Sequence, residues 1–164
     1  MSNVFSNLEP KLAAALHSKG WKPTPVQVST LPELCEGGDR IIVAPTGSGK
    51  TLSAVLPILH RCLVEQWKPL SILYITPLRA LNRDVDRRLT EISEAVGLKV
   101  GLRHGDTKQS ERARQTRNPP DLLVTTPETF QLMFTGKNLR ELLKSCLLYT
   151  SDAADEGLGV DLGG

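Results

Sequence analysis

Cysteine is scarce in this chain, and the few cysteines follow no metal-binding or redox pattern. Cys35, Cys62 and Cys146 are the only three, and they include no CxxC pair and have no histidine at metal-ligand spacing. Scattered cysteines of this kind are typical of reduced, structural thiols. The sequence therefore indicates neither a disulfide framework nor a zinc site.

Long hydrophobic runs and internal repeats are also missing. No apolar stretch is long enough to span a membrane. The amino-terminal stretch MSNVFSNLEPKLAAAL lacks the basic segment and apolar core of a secretory signal. We therefore expect a cytoplasmic protein without a membrane partner. Its 164 residues, 40% of them hydrophobic, suffice for one domain with a real core.

Basic residues are in small excess, and the acidic residues gather at the carboxyl end. The formal net charge is +2, yet residues 146–164 hold four acids and no base. The rest of the chain has 20 basic against 14 acidic residues, a balance of +6. That excess is compatible with a polyanionic partner.

Short apolar runs alternate with helical patterns along the chain. This alternation predicts an α/β fold, a parallel sheet with helices on both faces and right-handed crossovers. The charged stretch RDVDRRL is interpreted as a solvated helix face, and KQSERARQTRNPP as a polar loop. The predicted strands are RIIVA at 40–44, LSILYIT, KVGLRHG and DLLVTT.

The stretch APTGSGKT, from Ala44 to Thr51, matches the phosphate-binding loop pattern, with alanine at the first glycine position. Glycines let the backbone approach phosphate oxygens, and the following helix directs its positive end at them. The lysine supplies the charge for the β and γ phosphates, and the last hydroxyl ligates Mg²⁺. The candidate ATP-binding residues are Thr46, Gly47, Ser48, Gly49, Lys50 and Thr51, with Thr51 as the metal ligand.

Gln27 lies upstream of this loop, in the stretch WKPTPVQ. An amide can pair its donor and its acceptor with N6 and N7 of adenine. A polar, solvated turn residue is the other interpretation of Gln27. Its place before a phosphate-binding loop favours the adenine contact.

The order of these motifs resembles the first RecA-like domain of superfamily 2 helicases, and most closely the Lhr (large helicase-related) type. The resemblance rests on APTGSGKT, YITPLRALNRDVDRRL, RHGDTKQSERARQ and PPDLLVTTPETFQLM, and it covers about Phe5 to Ser145. It implies an incomplete RecA-like domain that binds ATP and Mg²⁺. It also implies a nucleic-acid partner, DNA rather than RNA, and a second RecA-like domain in the parent protein.

The resemblance also assigns a nucleic-acid contact to three segments. Each segment follows a predicted strand, where open α/β sheets place their ligands. An ordinary surface arginine remains the alternative for Arg79. For Asp106 and Glu128 the alternative is an acidic residue at a helix start, which the helix dipole favours. The implied nucleic-acid residues are Pro77, Arg79, Ala80, Gly105, Asp106, Thr126, Pro127 and Glu128.

Residues 146–164 do not fit this family pattern. The family places an apolar strand and then Asp-Glu-x-His after Ser145, whereas SDAADEG interposes small and polar residues before Asp155 and Glu156. The run CLLYTSDAADE resembles a transposase sequencing adapter translated in one unbroken frame. We therefore expect residues 1–145 to be a truncated helicase ATP-binding domain. Residues 146–164 are expected to be a non-native, irregular tail in which CLLYT can still form a short strand.

The sequence thus predicts the ATP-binding, amino-terminal part of an ATP-dependent nucleic-acid helicase. A DEAD-box-like RNA remodeller is one alternative. A non-hydrolysing nucleotide and nucleic-acid binding module is another. A P-loop kinase or transporter ATPase is a third, which WKPTPVQ and TPLRAL argue against.

We expect the 164-residue chain to release no phosphate from ATP above background, with or without DNA. Catalytic residues are not expected in it. In the family, the water-activating carboxylate and the arginine belong to the Asp-Glu-x-His motif and the second RecA-like domain, which this chain is expected to lack. An arginine supplied in trans contributes about 10³–10⁵ in rate in related phosphoryl transfers. The assay is phosphate release by purified chain, with Lys50→Ala as control. DNA-stimulated release that disappears in the control would show that the chain has its own catalytic carboxylate.

Overall fold

A computed structural model describes residues 3–45, 47–77, 83–135, 140–141, 143–144, 146 and 148–151. The chain divides into two compact units. Unit 1 comprises Met1–Lys68 and Asp84–Lys99, and unit 2 comprises Pro69–Arg83 and Val100–Gly164. No helix among the described residues has the length and apolar character needed to cross a membrane.

Helices are the only regular secondary structure among the described residues of unit 1. After a short 3₁₀ helix at Val4–Asn7 come α1 (Pro10–Ser18), α2 (Pro25–Glu36), α3 (Lys50–Val64) and α4 (Arg83–Ala95). The Glu9 carboxylate caps α1 by accepting from the backbone N–H groups of Lys11 and Leu12. Helix α2 packs against α3, the helix that follows the glycine-rich loop.

Contacts between residues distant in the chain join the helices of unit 1. The backbone N–H of Glu9 donates to Nδ1 of His60 on α3 over 2.8 Å. Lys19 forms a 3.4 Å ion pair with Glu91 on α4. The start of α1 is therefore tied to the middle of the helix that begins at Lys50.

Unit 2 contains a parallel four-stranded sheet in the order β2-β3-β1-β4. The strands are β1 (Ile72–Ile75), β2 (Val100–Arg103), β3 (Leu122–Thr125) and β4 (Leu148–Ser151). Its described residues include the helices α5 (Gln109–Arg117) and α6 (Pro127–Thr135). The parallel sheet confirms the predicted α/β class.

The core of unit 2 lies between its central strands and α6. Strands β1 and β3 are buried along their whole length, as expected for parallel strands covered on both faces. Their side chains pack with α6 in one apolar cluster, which consists of Leu70, Leu73, Ile75, Leu123 and Met133. Gly101 on β2 allows a close approach, since a Cβ there would lie 2.7 Å from Cγ of Pro120.

The predicted strand at Arg40–Ala44 is wrong. This segment has no regular secondary structure, and Ile41 and Val43 are 92% and 90% exposed. A strand requires a neighbour that accepts and donates its backbone hydrogen bonds. The four described strands pair only with one another, so the described part of the chain offers this apolar segment no partner.

The stretch KQSERARQTRNPP is not the predicted loop, because Gln109–Arg117 form α5. The helix is supported by an ion pair at i,i+3 between Glu111 and Arg114, at 2.8 Å. Further along the chain, β4 at Leu148–Ser151 is the short strand that CLLYT was expected to allow. It is an edge strand that pairs with β1 and not with Arg40–Ala44.

Candidate nucleotide and nucleic-acid sites

The glycine-rich loop of unit 1 is a tight turn that leads into α3. Gly47 and Gly49 have φ of 78° and 98°, a region that favours glycine. The Ser48 N–H donates to the carbonyl of Pro45 over 3.2 Å and closes the turn. Thr46, also predicted to bind phosphate, lies outside the described residues. The arrangement is a backbone cradle directly before a helix amino terminus, where anions are stabilised.

Lys50 begins α3 and reaches back across the loop. Its Nζ donates to the carbonyl oxygen of Ala44 at a distance of 2.5 Å. An ammonium group has three donors, so two remain for a phosphate. The stretch from Ala44 to Thr51 contains no acidic residue. The loop therefore combines a lysine charge with the positive end of a helix dipole.

Gln27 braces this loop from α2. Its Oε1 accepts from the Thr24 N–H at 3.0 Å, and its Nε2 donates to the Gly49 carbonyl at 3.3 Å. The Thr24 hydroxyl accepts from the Gln27 N–H, which completes a capping box. The side chain is only 2% exposed. One N–H and one lone pair of the amide are not used in these contacts.

Two hydroxyl groups of the loop have no hydrogen-bond partner among the described residues. Ser48 Oγ is buried and unpartnered. Thr51 is half-buried in the first turn of α3 and makes no side-chain hydrogen bond within the described part of the chain. Buried polar atoms without partners are rare in proteins. The buried Ser48 hydroxyl therefore suits a site that accommodates an anion, and the half-buried Thr51 hydroxyl is available to a ligand beside it.

In unit 2, three strands end level with one another at one edge of the sheet. Thr125 at the end of β3 is in register with both Ile75 and Arg103, which end β1 and β2. The segments predicted to contact nucleic acid follow these ends, so their first described residues lie at this edge. Pro77 after β1 is half-buried. Arg79 and Ala80, which continue that segment, lie outside the described residues.

The loop after β2 exposes Gly105 and Asp106, as a contact surface requires. The loop, His104–Thr107, is closed by its own hydrogen bonds. The His104 N–H donates to Oγ1 of Thr107 at 2.9 Å, and the Asp106 N–H donates to Nδ1 of His104 at 3.2 Å. The Asp106 carboxylate is 86% exposed and 3.8 Å from that Nδ1.

The segment after β3 presents Pro127 and Glu128 but buries Thr126. The Thr126 hydroxyl accepts from the Thr129 N–H at 3.3 Å and is 3.1 Å from the Thr129 hydroxyl, so it caps α6. Pro127 and Glu128 are exposed in the first turn of that helix. The helix dipole stabilises the Glu128 carboxylate there, whereas a phosphate would be repelled by it.

The sequence reasoning missed two residues that shape these sites. Thr24 caps α2 and holds Gln27, and the pattern T-x-x-Q before a helix could have indicated it. Arg112 on α5 donates three hydrogen bonds to the loop after β2. Arg112 was overlooked because KQSERARQTRNPP was interpreted as a loop, and the direction of a side chain in a loop cannot be read from the sequence.

Comparison with known proteins places this chain in a family. The DEAD/DEAH box helicase family matches residues 24–161. The chain belongs to the DEAD/DEAH box helicase family. The matched span includes the phosphate-binding loop, the strand ends of unit 2, and Asp155 and Glu156, which lie outside the described residues.

Individual relatives agree with this assignment. The chain is 40% identical over 144 residues to the Lhr helicase/uracil glycosylase of Escherichia coli, a match covering 75% of this chain and 9% of that protein. It is 33% identical over 159 residues to the ATP-dependent rRNA helicase RRP3 of Meyerozyma guilliermondii, covering 96% of this chain and 33% of that protein.

A solved structure gives the same result. The structure of Mycobacterium smegmatis helicase Lhr bound to ssDNA and AMP-PNP matches with a TM-score of 0.78 and 32% identity, over 92% of this chain and 21% of that one. The predicted resemblance to Lhr helicases is confirmed. The chain spans only a small part of these relatives' length.

We predict that Gly49→Ala destabilises unit 1 more than Gly47→Ala does. A Cβ at Gly49 would lie 2.8 Å from Gln27 Nε2 and 2.9 Å from Thr24 Oγ1, whereas a Cβ at Gly47 meets nothing within 4 Å. Both changes strain a positive φ, at about 1–2 kcal/mol. Only Gly49→Ala adds overpacking, at about 1–3 kcal/mol. Urea unfolding without nucleotide measures the difference, and equal losses would show that the brace on Gly49 is unimportant.

Proposed function

We propose that this chain is the ATP-binding, amino-terminal part of an ATP-dependent helicase of the Lhr type. The observation that carries the proposal is the phosphate-binding loop, with Lys50 at the start of α3 and Gln27 hydrogen-bonded to Gly49. The segments that follow the strand ends of unit 2 are proposed as the surface for nucleic acid. Of the relatives named above, one is an Lhr helicase and another is an ATP-dependent helicase.

ATP and Mg²⁺ are the ligands that the loop residues fit. Gly47, Ser48 and Gly49 offer backbone N–H groups, and Lys50 offers its charge to the β and γ phosphates. Thr51 is proposed as the Mg²⁺ ligand, since its hydroxyl has no hydrogen-bond partner among the described residues. When bound, Mg²⁺ neutralises phosphate charge. Thr46 is proposed to contribute through its backbone.

Gln27 is proposed to contact the adenine with the N–H and the lone pair that its internal hydrogen bonds leave available. The hydrogen bonds to Thr24 and Gly49 hold the amide in one direction, which a specific contact with the base requires. The hydrogen bond to Gly49 also joins the proposed base contact to the phosphate-binding loop.

A single nucleic-acid strand is the proposed partner of unit 2, with DNA preferred over RNA. The candidate contacts lie in the segments that follow β1, β2 and β3. Two features support DNA: identity to the Lhr helicase exceeds that to the rRNA helicase, and the Lhr structure that matches this fold contains ssDNA. The proposed residues are Pro77, Arg79, Ala80, Gly105, Asp106, Thr126, Pro127 and Glu128, with Thr126 acting through its backbone.

Residues 1–145 are proposed to form the functional domain, and residues 146–164 to take no part in it. The adapter-like run CLLYTSDAADE supports this division. The strand at Leu148–Ser151 occupies only the edge of the sheet. We also propose a cytoplasmic location, because no two of the three cysteines form a disulfide.

We predict that Lys50→Ala weakens binding of a non-hydrolysable ATP analogue by roughly ten- to a hundred-fold. A charge-assisted hydrogen bond contributes about 1.5–3 kcal/mol, which corresponds to that range. Calorimetry on both proteins measures the effect. The matched control is Lys11→Ala, which removes the same charge from an exposed position on α1. Equal affinity in Lys50→Ala and Lys11→Ala would remove Lys50 from the site.

We predict tighter binding to single-stranded DNA than to RNA of the same length and base sequence. The 2′-hydroxyl is the group by which proteins distinguish the two at a backbone contact. Fluorescence anisotropy with the ATP analogue present measures both affinities at one salt concentration. Tighter binding to RNA would favour an RNA remodeller, and absence of binding to both would overturn the nucleic-acid part of the proposal.

A further inference from the structure

Arg112 on α5 organises the loop that follows β2. Its Nε donates to the Thr107 carbonyl at 2.9 Å, and its Nη2 donates to the carbonyls of His104 and Gly105 at 3.0 and 2.7 Å. One guanidinium thus engages three of the four carbonyls between residues 104 and 107. A planar group with fixed donors can hold several acceptors in one arrangement, which a lysine ammonium cannot reproduce.

These hydrogen bonds change what the loop offers to an anion. Carbonyl oxygens repel phosphate, and three of them are turned toward the Arg112 guanidinium. The amides of His104 and Asp106 are used within the loop. The Gly105 N–H has no partner among the described residues, and Gly105 is exposed. The loop therefore combines an available amide with a full positive charge directly behind it.

A second cation lies beside Arg112. Arg103 at the end of β2 is 7% exposed, and its Nη1 donates to the Arg112 carbonyl at 3.4 Å. Burial lowers the pKa of Arg103, and the positive charge of Arg112 lowers it further. Within the described part of the chain no carboxylate pairs with either arginine. Glu111, on the same helix as Arg112, pairs with Arg114 and accepts a hydrogen bond from Gln115. An external anion would relieve this repulsion.

Helix α5 holds Arg112 in place through Gln115. The Gln115 Nε2 donates to the Leu102 carbonyl on β2 and to the Glu111 carboxylate, both at 3.0 Å. The helix is thereby fixed to the strand whose end carries the loop. The direction of the Arg112 side chain is consequently set by tertiary contacts.

We propose that Arg112 is a positioning residue of the nucleic-acid interface, which shapes His104–Thr107 so that the loop receives a backbone phosphate of a single strand. This inference rests on the proposed function, since it deepens the same surface of unit 2. Arg112 acts through the loop, and its carbonyl hydrogen bonds persist when the phosphate is bound.

The test compares Arg112→Ala and Arg112→Lys with Arg114→Ala in the full chain. Arg114 is the matched control, because it lies on the same helix, loses the same charge, is 72% exposed and pairs with Glu111 rather than the loop. The probe is a labelled oligothymidine, measured by anisotropy over a range of salt concentrations. Affinity for the ATP analogue checks that unit 1 is intact in each variant.

We expect Arg112→Ala to weaken DNA binding about ten-fold or more, the range of a charge-assisted hydrogen bond. Arg114→Ala should change it by about two-fold or less, as for exposed ion pairs. Arg112→Lys should fail to restore affinity although it keeps the charge. The salt dependence of DNA binding by Arg112→Ala should keep the wild-type slope, whereas loss of a direct phosphate contact would reduce that slope by about 0.7. Hydrogen exchange at the Asp106 and Thr107 amides, which are hydrogen-bonded within the loop, should accelerate in both Arg112 variants.

Restored affinity in Arg112→Lys, or equal losses in Arg112→Ala and Arg114→Ala, would overturn the positioning role while leaving the interface in place. A wild-type chain that does not bind the oligothymidine would overturn the interface itself, and this inference with it. If Arg112→Ala does not fold, Arg112→Lys decides the question, because it retains the charge and most of the side-chain length.

Discussion

The parallel pairing of β1, β3 and β2 is the constraint on which the candidate nucleic-acid surface depends. Parallel strands require a crossover between them, so every strand ends at the same edge of the sheet. The register aligns Ile75, Arg103 and Thr125 at that edge. Three strand ends that are far apart in the chain thereby become neighbours. No single loop needs a special sequence to achieve this.

In unit 1 the corresponding constraint is the contact between Gln27 and Gly49. A glycine-rich loop is permissive by composition, and without support its many conformations would have to be ordered when a nucleotide binds. The capping box at Thr24 directs Gln27, and Gln27 holds the carbonyl at the helix start. A residue predicted to read the base thus also preorganises the phosphate-binding loop. One side chain can do both, because an amide has two donors and two acceptor sites.

The sequence predicted elements correctly where a local pattern specifies them. It failed where contacts with distant segments determine whether a strand or helix forms. The strands at Ile72–Ile75 and Leu122–Thr125 were predicted from continuous apolar runs, and both are buried central strands. The segment Arg40–Ala44 has the same composition but no pairing partner among the described residues, so composition alone misled. The helix Gln109–Arg117 was missed for the opposite reason. Its pattern is polar all round, and contacts through Gln115 and Arg103 fix it in place.

The sequence by itself determined the α/β class, the phosphate-binding loop and the family, because each of these is written in short motifs whose residue types have one dominant chemical use. Glycine at Gly47 and Gly49 and a lysine at Lys50 predict a phosphate site before any fold is known. Only the tertiary structure decided which polar groups remain available to a ligand. Thr126 proved to be a buried cap, and Arg112 proved to be a brace for the loop after β2. The reason is physical: a hydrogen bond depends on distance and direction, which are set by elements distant in the chain.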